Sequence, residues 1–169
     1  VFMAAPFAAM QLADLGARVV KVESPTMPDP TRQVGPMVQG RSSPFLRLNR
    51  NKESVALDFK TPEGYAALLA LVDEADVLVE NLRPGALTRA GLGPDVLLER
   101  NPRLVYCSAS GWGQDDPLAA LREAEIALGG MVFRWRFSRR PQLGRPFGVP
   151  GVGGPGLGVL RLQRRVDRQ

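Results

Sequence analysis

Hydrophobic positions along this chain alternate between two rhythms. Val19, Val20 and Val22 form a β-branched run closed by Glu23 and stopped by Pro25, which predicts a strand over Arg18–Glu23. Ahead of it, Phe7, Met10, Leu12 and Leu15 lie among alanines at roughly helical spacing, and Gly16 suits the residue after a helix. Val55 and Leu57 alternate with smaller or polar neighbours, predicting a strand over Ser54–Phe59. Thr61 is then a credible N-cap and Pro62 a credible first helical residue, for a helix to about Glu74 that buries Leu68, Leu69, Leu71 and Val72. Val77, Leu78 and Val79 predict a buried strand over Asp76–Glu80, and short helices follow from Pro84 and from Pro94 to Arg100. Leu104, Val105 and Tyr106 predict the last strand, Arg103–Ser108, with small residues to Gly113 after it. Strands alternating with helices imply an α/β fold with a parallel, doubly wound, Rossmann-like sheet.

Polar residues gather where these strands end. Glu80, Asn81, Leu82, Arg83, Pro84 and Gly85 follow the third strand at once. Ligands of open α/β sheets bind at that carboxyl edge. Residues 24–47 form a long loop with five prolines, and loops of that length are usually functional or disordered. An acid such as Glu23 after a second strand also occurs in dinucleotide sites. No G-x-G-x-x-G precedes it, which argues against a nicotinamide cofactor.

Composition narrows the chemistry. Of 169 residues, 44% are hydrophobic and 23% charged, which suits one soluble domain. No apolar run nears the roughly 18 residues of a membrane helix. The chain has no histidine, which excludes Ser-His-Asp and Cys-His catalysis and histidine-ligated zinc within it. Cys107 is the single cysteine, so neither an internal disulfide nor a cysteine metal cluster is expected; it reads as a small core residue, and a reducing cytoplasm fits. The net charge of +5 is unevenly spread. Residues 131–169 hold nine arginines and one acid, Asp167, while the rest carries 13 basic and 16 acidic groups. The basicity belongs to a tail, and no aromatic stacking pattern in it points to nucleic acid.

Four ordered blocks resemble the family III CoA-transferases of the CaiB/BaiF type, the group of formyl-CoA transferase and α-methylacyl-CoA racemase. They are PFAAMQLADLGARVVKVESP from Pro6, LNRNKESVALDFKTPEG from Leu48, ADVLVENLRPGALTRAGLG from Ala75 and NPRLVYCSASGWGQ from Asn101. The resemblance covers about residues 1–117. It implies the N-terminal part of a large CoA-transferase domain over 1–131. Residues 1–6 read as the end of a turn of the Ala-Gly-Pro type, so the family's first strand is expected before them. Residues 132–169 resemble nothing in the family; rich in arginine, glycine and proline, they are expected to be disordered or a frameshifted reading.

The resemblance also implies a site. Leu57 to Lys60, Asn81, Leu82, Arg83 and Arg89 match positions that line the family's CoA site. Lys60 and Arg89 suit phosphate, and Asn81 suits an amide or carbonyl. Asp29, Thr31 and Arg32 stand where the family has a GD-x-T-R pattern, with Pro28 in place of the glycine. Ser24 stands where some members carry a phosphate-binding arginine. The family's transferases attack the acyl-CoA thioester with an aspartate, then exchange CoA onto a carboxylic acid acceptor; no metal is involved. Counting forward from GWGQ puts Glu125 at the nucleophile's position, whereas counting back from Met131 puts Arg122 there. Glu125 is the candidate, and the chain is expected to be inactive or impaired because the usual motif is absent. The family's homodimers use its second half, so the resemblance implies a homodimer for the family but does not lead one to expect it of this fragment. Two other readings remain: a truncated racemase-like protein, and a module whose basic tail binds polyanions.

Overall fold

The computed structural model describes residues 4–110 with their side chains, and residues 133–138, 147–149 and 157–161 by backbone alone. The elements follow the predicted alternation. Helix α1 (Ala4–Asp14) leads to β1 (Arg18–Glu23), and β4 (Lys52–Ala56) leads to α3 (Pro62–Glu74). Strand β5 (Val77–Glu80) is followed by α4 (Ala86–Arg89) and α5 (Pro94–Arg100), then by β6 (Val105–Ser110). The α/β fold is thus present.

The long loop is more structured than its prolines suggest. It contains a 3-10 turn (Pro30–Gln33), a two-residue hairpin of β2 (Met37–Val38) with β3 (Arg41–Ser42), and α2 (Ser43–Asn49). The helix begins where Ser42 caps it by accepting the Phe45 N–H at 3.2 Å. The Asp29 carboxylate caps the 3-10 turn in the same way, accepting the Thr31 N–H at 2.9 Å.

Strand β1 pairs parallel with β4, and β5 pairs parallel with β6. Between β1 and β5 lies β9 (Leu157–Arg161), antiparallel to both, so all four predicted strands run in one direction. Strand β7 (Phe133–Ser138) extends the far side antiparallel to β6, and β8 (Phe147–Val149) pairs with β7. The described order is β4-β1-β9-β5-β6-β7-β8. Three segments of the arginine-rich tail are therefore strands, and the rest of the tail lies outside the described residues. Phe133, Trp135 and Phe137 alternate with Arg134 and Arg136, the period of two that a strand requires.

Strands β4 and β6 depart furthest from their predicted bounds. Strand β4 begins and ends earlier than the Ser54–Phe59 its apolar residues predict, although the Leu57 N–H still donates to the Glu23 carbonyl at 2.8 Å. Asp58 then turns the chain into the Thr61 cap. Strand β6 begins two residues later than expected, because Asn101 closes a turn with the N–H groups of Arg103 and Leu104.

The sheet's two faces carry different cores. On one, Val20, Val22, Leu78 and Tyr106 pack with Leu68 and Val72 of α3 and Leu97 of α5. On the other, the alanines of α1 (Ala5, Ala9, Ala13) meet Val19, Val79, Cys107 and Ala109. Side chains this small let α1 lie close to the sheet. Burying one of the leucines contributes about 1.5–3 kcal/mol.

Candidate active site

Four parallel strands bring their carboxyl ends to one edge: Glu23, Ala56, Glu80 and Ser110. Most of the residues expected at the site lie just beyond these ends. From β4 to β5 is three strand spacings, about 14 Å. Leu57 to Lys60 and Asn81 to Arg83 therefore stand apart along the edge. Helix α3 joins them: Leu57, Phe59, Leu82 and Tyr65 pack on the same core, and the Tyr65 hydroxyl donates to the Gly91 carbonyl at 3.0 Å.

The turn from β4 into α3 is tightly built. The Thr61 hydroxyl accepts the Gly64 N–H at 3.1 Å and donates to the Asp58 carbonyl at 2.9 Å. The Asp58 carboxylate accepts the Lys60 N–H at 3.0 Å. A Cβ at Gly64 would sit 1.9 Å from the Asp58 carbonyl oxygen, so only glycine fits. This leaves the Lys60 amine exposed on a fixed backbone.

Beyond β5, Asn81 is 3% exposed, and neither its amide nitrogen nor its amide oxygen has a hydrogen-bond partner among the described residues. A buried side-chain amide left unpaired costs about 1–3 kcal/mol. The orphaned pair is therefore a place where a ligand's amide or carbonyl would be welcome. Arg83 and Arg89 are both exposed. Gly85, at φ +73°, lets the Arg89 guanidinium fold back over the turn; a Cβ there would lie 2.9 Å from Arg89 Nη1. Lys60, Arg83 and Arg89 thus supply cations along this edge, suited to phosphate groups.

Three buried polar residues stand behind this turn: Glu80, already prominent in the sequence at the strand end, and Ser108 and Ser110, whose part in it was not foreseen. The Glu80 carboxylate accepts the Leu82 N–H at 2.8 Å and the Ser108 hydroxyl from the paired position of β6. Ser110, at the end of β6, has a buried hydroxyl without a partner among the described residues. The signal of the serines in the sequence is weak: they alternate along a strand.

The loop after β1 is clamped. Glu23 accepts the Asp29 N–H at 3.0 Å, the Ser54 hydroxyl at 3.1 Å and the Arg32 guanidinium, whose nearest nitrogen is at 2.6 Å. The Arg32 guanidinium also lies over the Phe45 ring, 4.0 Å from its centre. Lys21 and Asp29 form a buried ion pair at 2.7 Å, and the Thr31 hydroxyl donates to Asp29. Burial pushes the Glu23 and Asp29 carboxyls up, but Arg32 and Lys21 outweigh it and hold both below the ordinary range. Asp29, Thr31 and Arg32 thus act as loop anchors. Beside them, burial and the Lys21 charge push the Lys52 amine down to about 7, against the pull of Asp29. Its nitrogen is committed to the Pro6 and Leu48 carbonyls and the Asn49 side chain, at 2.7–3.0 Å.

Cys107 is buried, and burial with the nearby Glu80 charge pushes its thiol up to about 12, which suits packing and not attack. Glu125 and Arg122 lie outside the described residues. Among the described residues no helix is long and apolar enough to cross a membrane.

The carboxyl edge of the sheet thus carries a buried amide, unpartnered among the described residues, and a row of exposed cations. The model of CoA-transferase family III matches residues 1–132, and the chain belongs to that family. It is 47% identical over 114 residues to acetyl-CoA:oxalate CoA-transferase of Acetobacter aceti, covering 68% of this chain and 29% of that protein. It is 45% identical over 151 residues to succinyl-CoA:glutarate CoA-transferase of Homo sapiens, covering 89% of this chain and 34% of that one. A crystal structure of a CaiB/BaiF family protein from Brucella suis superposes with a TM-score of 0.66 at 42% identity, over 71% of this chain and 33% of that chain. The chain therefore spans about a third of the length of these relatives.

Proposed function

We propose that this chain is the CoA-binding part of an enzyme that moves CoA between an acyl-CoA thioester and a carboxylic acid. The observation that carries the reading is the unpartnered, buried Asn81 amide at the sheet edge, flanked by Arg83 and Arg89. The pantetheine arm offers amides for the first, and the phosphates of CoA suit the second. Leu57 and Leu82, both half-buried, supply apolar wall, and Lys60 a further cation. Two of the relatives are named for oxalate and glutarate, which supports a short dicarboxylic acid as the acceptor.

Glu125 is the proposed nucleophile. Its carboxylate would attack the thioester carbonyl, expelling the CoA thiolate and leaving a mixed anhydride. Attack by the returning thiolate then gives an enzyme thioester and releases the first acid; the acceptor carboxylate completes the exchange. A glutamate is one methylene longer than the family's aspartate, and misplacement of about 1 Å can cost about 10²-fold in rate. Little or no turnover by this chain alone is the expected outcome.

The test is a thermal shift. CoA should raise the melting temperature of the purified chain, and duplex DNA at the same concentration should not. A shift with DNA and none with CoA would replace this reading by polyanion binding through the basic tail.

A further inference from the structure

Buried carboxylates need a reason. Glu80 is 5% exposed and lies on the sheet face whose core is Leu78, Tyr106 and the leucines of α3 and α5. Taking a charge out of water costs several kcal/mol, and an apolar residue of similar size would suit that neighbourhood better if stability were the whole requirement. Two of its hydrogen bonds point elsewhere. One oxygen receives the Ser108 hydroxyl, from the residue directly opposite in β6. The other receives the Leu82 N–H at 2.8 Å.

That N–H belongs to the peptide joining Asn81 to Leu82. Fixing it fixes the plane on the carboxyl side of Asn81, while the strand fixes the plane on the amino side. The Cα–Cβ direction of Asn81 is then set from both sides. Asn81 is the residue whose amide stands buried without a partner. A loosely held amide would lose affinity to the entropy of ordering it, and a pre-set one does not.

We propose that Glu80 is a positioning residue for ligand binding: anchored to Ser108 on β6, its carboxylate grips the Leu82 N–H and holds the Asn81 amide ready at the sheet edge. The inference rests on the reading of this edge as a CoA site. Glu80 touches no ligand in this account; it acts through Asn81. The charge is also felt by its neighbours, since it adds to burial in raising the Tyr106 and Cys107 groups.

The test uses CoA itself as probe, titrated by calorimetry into the full 169-residue chain. Glu80→Ala should weaken CoA binding about tenfold or more, the scale of a lost hydrogen bond to a charged group. Glu80→Gln keeps an oxygen for the Leu82 N–H and offers its NH2 to the Ser108 oxygen, so affinity should stay within about twofold of wild type. Rescue by glutamine separates positioning from a general need for charge. Wild-type affinity in Glu80→Ala would overturn the proposal, as would an equal loss in both variants. If Glu80→Ala does not fold, Ser108→Ala decides in its place: about threefold weaker binding supports the role, and unchanged binding overturns it. If the wild-type chain itself gives no binding heat, the CoA reading fails, and the positioning role is read from the side-chain amide resonances of Asn81. Those signals should shift and broaden in Glu80→Ala and recover in Glu80→Gln; identical signals in all three proteins would overturn it.

Discussion

Single residues set the energetics of the edge. The Lys21–Asp29 pair is buried on both sides, so removing one partner strands the other. Lys21→Met should destabilise the protein by about 3–5 kcal/mol at pH 7, measured by denaturant unfolding. The pH dependence has a definite sign. In the wild type Asp29 and Glu23 titrate below their ordinary values, so their stabilisation is present at neutral pH and is lost as the pH falls through the ordinary carboxylate range toward the lowered values. Without Lys21, burial is opposed only by the bonds from the Thr31 hydroxyl and N–H, so the Asp29 carboxyl rises from its wild-type value. The deficit of Lys21→Met should therefore shrink between pH 7 and pH 4.5 as Asp29 takes up a proton; a constant deficit would show that the pair is not what the substitution removes. Gly64 gives a sharper case. Gly64→Ala puts a methyl 1.9 Å from the Asp58 carbonyl and must break the turn that carries Lys60, so both the melting temperature and CoA affinity should fall. A variant with wild-type melting temperature would contradict the turn as described.

At the scale of elements, capping and packing explain why α3 starts where it does. Thr61→Ala removes the acceptor of the Gly64 N–H and should cost about 1 kcal/mol in thermal unfolding, a typical N-cap loss. Leu97→Ala, in the core beneath α5, should cost about 2–5 kcal/mol. These elements were legible in the sequence because each carries its own local signal: valine runs for β1 and β5, Thr-Pro for α3, Pro94 for α5. Strand β4 was legible only in part, since Lys52 and Glu53 at its start are polar and its apolar residues drift toward the turn. Helix α2 was missed because prolines dominate the reading of 24–47, although Ser42 and Pro44 form a start signal. The strands at 133–138, 147–149 and 157–161 were hidden by arginine- and glycine-rich composition, which says nothing about period. The candidate site was legible as polar residues after strand ends and through the family blocks. Its supports were not. Nothing local in Val-Glu-Asn reveals that Glu80 reaches Ser108, because that contact exists only once β5 and β6 are in register.

For the whole molecule, β9 matters most. It lies between β1 and β5 and joins the two parallel pairs into one sheet. Deleting residues 157–169 would leave two inner strand edges unpaired, which is costly for buried backbone groups. Circular dichroism should then show a broad, non-cooperative melt; an unchanged, sharp melt would mean that the β1–β5 junction needs no strand from the tail. The edge that this sheet presents is proposed to bind CoA. Calorimetric titration of the intact chain with CoA at low salt, beside Arg89→Ala, tests it most directly. The wild type should bind saturably, and binding should weaken by roughly 1–3 kcal/mol in Arg89→Ala. Equal affinity in the two proteins, or no binding by either, would contradict it.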